Sequence, residues 1–216
     1  MLEGRDSKIL FALIDAYIHS AAPVPSSYLS RKFRGALSPA TIRNHFIRLT
    51  DEGFLEQPHT SSGRIPTEKA VRTYVDALFD SYQEQIEDQR ILTHVMAERM
   101  RERIAEKYQV LAGTVSEDRS MKLSGFEQLF QSPEMRNEET LRHVGYVLDH
   151  FMSGYGALLE RFEGRPITVF IGSDLAGART TGMSMVVAPI EPRGALFIAG
   201  PMRMPYQTII EELFHI

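Results

Sequence analysis

Cysteine is absent from the 216 residues, which excludes disulfides, thiol catalysis and thiolate metal sites. No stretch approaches the roughly 18 apolar residues that a membrane span needs. The apolar run from Ile9 to Ile18 is interrupted by Asp15 and has no cleavage-type end, so it does not read as a secretory signal and a cytoplasmic protein is expected. An overall excess of positive charge is missing too. The net charge of −4 argues against a protein that coats nucleic acid uniformly.

What is present is an asymmetry. Between Ser26 and Arg72, eight cationic side chains (Arg31, Lys32, Arg34, Arg43, Arg48, Arg64, Lys69 and Arg72) face four carboxylates, Asp51, Glu52, Glu56 and Glu68. The local net charge of +4 leaves −8 for the rest of the chain. Such a difference between parts of a chain suggests that one part meets an anion; solvated charges clustered by chance are the alternative. The 43% hydrophobic content suits a protein with a real core, and the length allows one large domain or two small ones.

Ile9, Leu10, Leu13, Ile14, Tyr17 and Ile18 recur at helical spacing, so Asp6 to Ser20 reads as an amphipathic helix stopped by Pro23 and Pro25. Ser26 or Ser27 caps a short second helix through Phe33, with Tyr28, Leu29 and Phe33 as its apolar contacts. Arg34-Gly35-Ala36 is a turn. Ser38 before Pro39 is a strong helix start, because the hydroxyl accepts an orphan amide and proline needs no hydrogen bond at the first position. That third helix runs to about Glu52, with Gly53 as a left-handed cap. Phe54 to Gln57 and Arg64 to Pro66 form a small hairpin, and Thr67 caps a fourth helix carrying Ala70, Val71, Tyr74, Val75 and Leu78. The order is that of a winged helix-turn-helix, with His59 to Gly63 as the wing tip, closed by Arg64.

Ser81 to about Leu111 reads as a long amphipathic helix with a Leu92, Met96, Met100 and Ile104 stripe, either packed on its own domain or forming a helix-helix dimer seam. Strands follow at Met121 to Leu123, Ile167 to Ile171, Met183 to Ala188 and Ala195 to Ala199. A second long helix runs between Leu141 and Leu159, and a last one starts at Pro205. The fold class is α+β, mostly helical, divided as 1–80, a linking helix over 81–118, and 119–216.

On the third helix, Ile42, Phe46 and Leu49 share an arc that faces inward. The opposite arc holds Ala40, Thr41, Asn44, Ile47 and Arg48, with Arg43 on its flank. Asn pairs with adenine and Arg with guanine through two hydrogen bonds each, while Thr and Ala contact a thymine methyl. Ser38 and the free amides at the helix start suit a backbone phosphate. At the wing, Thr60, Ser61 and Ser62 are small donors, Gly63 permits a sharp turn, and Arg64 brings fixed charge. His59 adds a group that is charged at mildly acidic pH. Lys69 and Arg72 are phosphate anchors or plain solvated charges. Winged helices also serve as protein-protein modules, but the charge excess and the Asn/Arg/Thr face favour double-stranded DNA.

The stretch "LSPATIRN" followed by "GFLEQPHTSSGRIPTEKAVRTYVD" closely resembles the DNA-binding end of the heat-inducible transcription repressor HrcA family. "LSGFEQLFQSPEM" (Leu123 to Met135) and "GPMRMPYQTIIEEL" (Gly200 to Leu213) are similar to two further family segments. The resemblance implies a winged helix, a GAF-like domain and a dimerising domain inserted in the latter. It also implies a homodimer that binds an inverted-repeat operator upstream of chaperone genes, kept active by the chaperonin GroE and released on heat stress. Compared with that pattern the chain is short, with room between Tyr82 and Met121 for one helix and a turn but not for the inserted domain or the first GAF-like strands. Four strands remain, too few for a deep ligand pocket. His45 and Arg48 stand where the family more often has acidic residues, which adds positive charge. Without the inserted domain, the four-residue stripe or the C-terminal sheet is left to dimerise.

A second reading is a ligand- or partner-sensing regulator of other genes, with Gly172-Ser173-Asp174 and Gly177 shaping a loop. Catalysis is not expected. His143 and His150, with Asp149 beside the latter, lie seven apart rather than at the spacing of helical zinc ligands. The wing serines have no His/Asp partners. No cofactor or metal is expected.

Overall fold

The structure, a computed structural model, describes residues 4–59, 63–82, 92–118, 120–142, 144–146, 149, 167–175 and 182–214. Its contacts divide the chain into two units, Met1–Ala77 and Leu78–Ile216.

The first unit opens with α1 (Arg5–Ser20), which buries Ile9, Leu10, Leu13 and Ile14, the apolar set expected from their spacing. Ala21 ends it in the left-handed conformation. In α2 (Ser26–Lys32) the cap position belongs to Pro25, and no side chain caps it. Neither Ser26 nor Ser27 plays the expected role, because the helix starts one residue earlier than a serine cap requires. Tyr28, expected inside, is exposed, whereas Leu29 is fully buried.

Local chemistry alone builds α3 (Pro39–Asp51). The Ser38 hydroxyl accepts the Thr41 amide at 3.0 Å and Pro39 occupies the first turn. At the far end Gly53 has φ 77°, and the Phe54 amide reaches back to the Leu49 carbonyl at 2.8 Å. That pairing satisfies carbonyls which a helix end otherwise leaves open. Ile42, Phe46 and Leu49 form the buried face. Removing one such side chain from a core costs about 2–5 kcal/mol.

Strands β1 (Leu55–Glu56) and β2 (Ile65–Pro66) pair antiparallel, Leu55 with Pro66 and Glu56 with Ile65. Helix α4 (Glu68–Ser81) follows. Thr67 joins these parts: its hydroxyl accepts the Ala70 amide at 3.3 Å and donates to the Gly53 carbonyl at 2.8 Å. Tyr74 fixes α4 on α1, donating to Asp15 at 3.0 Å with its ring edge-on to Phe11.

Val24 supplies an element that the sequence reading lacked. Its amide and carbonyl exchange hydrogen bonds with Arg64 at 2.8 and 3.0 Å, so the link between α1 and α2 adds a third extended segment beside the hairpin.

In the second unit, α5 (His94–Tyr108) is capped by the Thr93 hydroxyl and ends where Gln109 turns left-handed. The expected helix was longer, to about Leu111; its first part, residues 83–91, lies outside the described residues. Instead, β3 (Leu111–Ser116) begins where only a helix and a turn were expected. Five strands, not four, make the sheet. With β4 (Met121–Ser124), β5 (Thr168–Ile171), β6 (Met183–Pro189) and β7 (Gly194–Pro201), the order is β4-β3-β7-β6-β5, and every pairing is antiparallel. A short α6 (Phe126–Phe130) and a terminal α7 (Tyr206–Phe214) complete the described elements of this unit besides two 3-10 turns and the helical residues 138–142, 144–146 and 149.

The α5 stripe packs against this sheet. Leu92, Met100 and Ile104 are buried, so it is not a free dimer seam. The sheet also keeps its two faces inside. Val115, Phe197 and Val187 are buried on one face, and Ala112, Ile198 and Val186 on the other. Among the described residues, neither face is therefore an open surface for a second copy.

Candidate nucleic-acid interface

Because Ile42, Phe46 and Leu49 anchor α3 inward, helical geometry turns the intervening positions outward. Ser38, Ala40, Arg43, Asn44, Ile47 and Arg48 are exposed and Thr41 is half-buried, so the expected face exists. Asn44 projects from its middle. Ile47, at 54% exposure, places an apolar side chain among polar ones. The Ser38 and Thr41 hydroxyls lie 2.9 Å apart at the helix start, and the Arg43 Nε donates to the Pro39 carbonyl at 3.4 Å.

Arg48 is not a simple free cation. One Nη donates to an Asp6 carboxylate oxygen at 2.6 Å, and His45 Nδ1 meets that same oxygen at 2.6 Å. The positive charge expected from His45 and Arg48 is thus countered locally from α1. Burial raises the Asp6 pKa, but the hydrogen bonds from His45 and Arg48 outweigh this and leave it below the ordinary carboxylate value. Sequence reasoning missed Asp6, because an acid in a first helical turn is already explained by the helix dipole.

At the hairpin, Thr60, Ser61 and Ser62 lie outside the described residues. His59 is exposed, while Gly63 and Arg64 are half-buried. Gly63 does not hold a left-handed turn. A Cβ there would come within 2.3 Å of the Val24 backbone, so glycine is needed for the close approach of two backbone segments. Arg64 Nε donates to the Thr50 hydroxyl at 3.2 Å, tying the hairpin to α3. Lys69 Nζ donates to the Glu52 carbonyl at 2.7 Å and sits 4.1 Å over the Phe54 ring. It closes the end of α3 rather than standing apart as a plain solvated charge. Arg72 pairs with Glu68 at 3.0 Å on its own helix.

Elsewhere, the Gly172 to Asp174 loop is a 3-10 turn in which the Asp174 carboxylate accepts the Ile171 amide at 3.1 Å. Gly177, His143 and His150 lie outside the described residues. No group of His, Asp and Glu among the described residues suits a metal ion. No helix among them is long and apolar enough to cross a membrane. A cavity of about 330 Å³ is lined by Gln109, Gln128, Gln131, Ser132, Arg203 and neighbouring residues.

The first unit thus carries one capped helix that turns amide and guanidinium groups outward beside a hairpin. The chain belongs to the HrcA family: the family profile described as HrcA protein C terminal domain matches residues 37–210, a span that includes α3 and the hairpin. A protein of Nitratidesulfovibrio vulgaris (strain DP4) named heat-inducible transcription repressor HrcA is 60% identical over 77 residues, 36% of this chain and 22% of that protein. One of the same name from Desulforamulus reducens is 38% identical over 148 residues, 68% of this chain and 40% of that protein. The matched parts thus span from about a fifth to two fifths of these relatives' length. A solved structure titled as a hypothetical protein at 2.2 Å resolution shares the fold, with a TM-score of 0.75 and 16% identity over 100% of this chain and 97% of that one.

Proposed function

We propose that the chain is a sequence-specific transcriptional repressor of heat-shock genes that binds an inverted-repeat operator in double-stranded DNA as a homodimer. In this reading residues 1–80 are a winged helix-turn-helix, α3 enters the major groove and the β1-β2 hairpin is the wing. Residues 119–216 belong to a reduced GAF-like domain, with 81–118 leading into it. The observation that carries the reading is the outward face of α3, where Asn44 lies between the flanking Arg43 and Arg48 and shares the face with Ala40, Thr41 and Ile47. Family membership supports the repressor part, since the relatives carry that name.

Repression acts by occupying a promoter, so the site needs no chemistry and no cofactor. Ser38 and the first amides of α3 take a phosphate, as do the wing residues from His59 to Arg64; Lys69 and Arg72 add charge beside them. The chaperonin GroE is the partner that keeps the repressor active, and its diversion by unfolded protein relieves repression in the cytoplasm. An inverted repeat is matched by a two-fold protein. With both sheet faces and the α5 stripe buried, the two-fold contact uses another surface.

Selection of bound sequences from random duplex DNA by the full chain tests this reading. An enriched inverted repeat is expected, with affinity falling steeply as salt rises. No enrichment overturns the DNA reading, and a lone half-site overturns the dimer. Adding purified GroE to the same binding assay should raise the active fraction, and an unchanged fraction removes the chaperonin from the account.

A further inference from the structure

We propose that Asp6 is a positioning residue for the α3 face: it holds and neutralises Arg48, so that this guanidinium serves as a directed donor to a base edge rather than a general phosphate anchor. The inference rests on the DNA-binding reading above and deepens it.

Three side chains carry it. Asp6 sits in the first turn of α1, and its side chain is 18% exposed. His45, 13% exposed, approaches one Asp6 oxygen at 2.6 Å. Arg48, 53% exposed, approaches that same oxygen at 2.6 Å. The His45 and Arg48 nitrogens are themselves 2.9 Å apart. A ring nitrogen so close to a carboxylate must carry its proton toward it, so His45 Nδ1 donates and cannot also accept from Arg48. The two nitrogens are donors converging on one acceptor.

His45 therefore fixes the carboxylate from the buried side, and the carboxylate fixes Arg48 from beneath. A guanidinium has five N–H donors in a rigid fork. One of its terminal nitrogens is engaged with Asp6, and half of the side chain remains open toward the outer face. Such an arginine has already lost rotamer freedom, so less is lost when it meets a base. A carboxylate at 2.6 Å also cancels its formal charge. An unpaired arginine on this face would be drawn to any phosphate and would add to sequence-independent binding. Pairing suppresses that term and keeps the directional one.

The test uses the full chain with Asp6→Asn, Arg48→Lys, Arg48→Ala and the Asp6→Asn/Arg48→Ala double variant. Each is titrated with the selected duplex and with a scrambled one over a series of salt concentrations, below its own melting temperature. Asp6→Asn should bind scrambled duplex several-fold more tightly, with a salt slope steeper by about one per protomer. Its preference for the selected duplex should fall by roughly 5-fold or more. Both changes should vanish in the Arg48→Ala background. Arg48→Lys keeps the charge pair but loses the fork, so its preference should fall while its slope stays that of the parent; this arm stands even where Asp6→Asn fails to fold.

A parent chain with no preferred duplex overturns the DNA reading, and this inference with it. A parent with a preferred duplex overturns this inference alone in either of two cases: Asp6→Asn matches it in preference and slope, or the Asp6→Asn effects persist without Arg48. With Asp6→Asn unfolded, an Arg48→Lys variant of unchanged preference does the same.

Discussion

Arg203 grips Glu134 with two nitrogens, its Nη2 donating to one carboxylate oxygen at 2.9 Å while its Nε donates to the other. These residues belong to the two C-terminal segments that carry the family resemblance, and they stand 69 positions apart. The preceding turn is fixed as well. Tyr206, fully buried, donates to the Met202 carbonyl at 2.7 Å and accepts from the Ser184 hydroxyl at 2.8 Å. The pair thus clamps the end of β7 to the turn after α6.

Arg203→Lys loses the two-nitrogen grip, because an ammonium is a point donor. The pair is partly buried, so Arg203→Ala should lower unfolding free energy by about 1–3 kcal/mol, between the values for exposed and buried pairs. Urea unfolding of both variants checks the order, with lysine the milder change.

Gly63→Ala pushes a methyl group into the Val24 backbone, which has no side-chain freedom with which to yield. It should cost about 1–3 kcal/mol, the usual range for overpacking. Amide exchange at Val24 and Arg64 reads the damage directly, since both amides are bonded in the parent and should exchange faster in the variant.

Asn44→Ala and Lys69→Met should fail in different ways. Asn44 is exposed on the α3 face, and its loss should relax preference at one base position by about 1–3 kcal/mol while leaving the melting temperature unchanged. Lys69 closes the end of α3, so its loss should lower stability by about 0.3–1 kcal/mol and weaken binding to all sequences alike. Competition among single-base operator variants, run beside thermal melts, separates the two.

Acid should loosen the first unit through Asp6. Its folded pKa lies below the ordinary 3.8, so the stabilisation is complete above that value and lost as pH falls through the folded one. The parent should therefore lose stability below about pH 3.8 more steeply than Asp6→Asn, which has no carboxyl there to protonate. Urea midpoints followed from neutral pH downward measure the difference.

The legible parts of this fold were those written in neighbouring residues. Ser38, Pro39, Gly53 and Thr67 announce helix ends through chemistry that acts within a few positions, and α3 with its hairpin follows from them. Strand β3 was hidden because nearly every side chain from Leu111 to Val115 is buried, which removes the alternation that betrays a strand. Gly113 adds to the disguise: a Cβ there would come within 2.2 Å of the Phe197 ring, so the strand needs a residue that strands usually avoid. The Asp6 to Arg48 link spans 42 positions, and nothing local marks either residue as the other's partner. Lys69 reads as one more surface cation until the carbonyl beneath it is seen.

The bridge from Val24 to Arg64 also limits how this module could diversify. The connector between the first two helices and the returning arm of the hairpin are joined by that pair of backbone hydrogen bonds, so the angle of one cannot be reset without breaking them. A descendant that came to favour a different target would have little room to re-aim the scaffold. It would have to exchange the groups the scaffold displays, and sequence drift should gather on the outer positions of α3 while the residues around Val24 stay fixed.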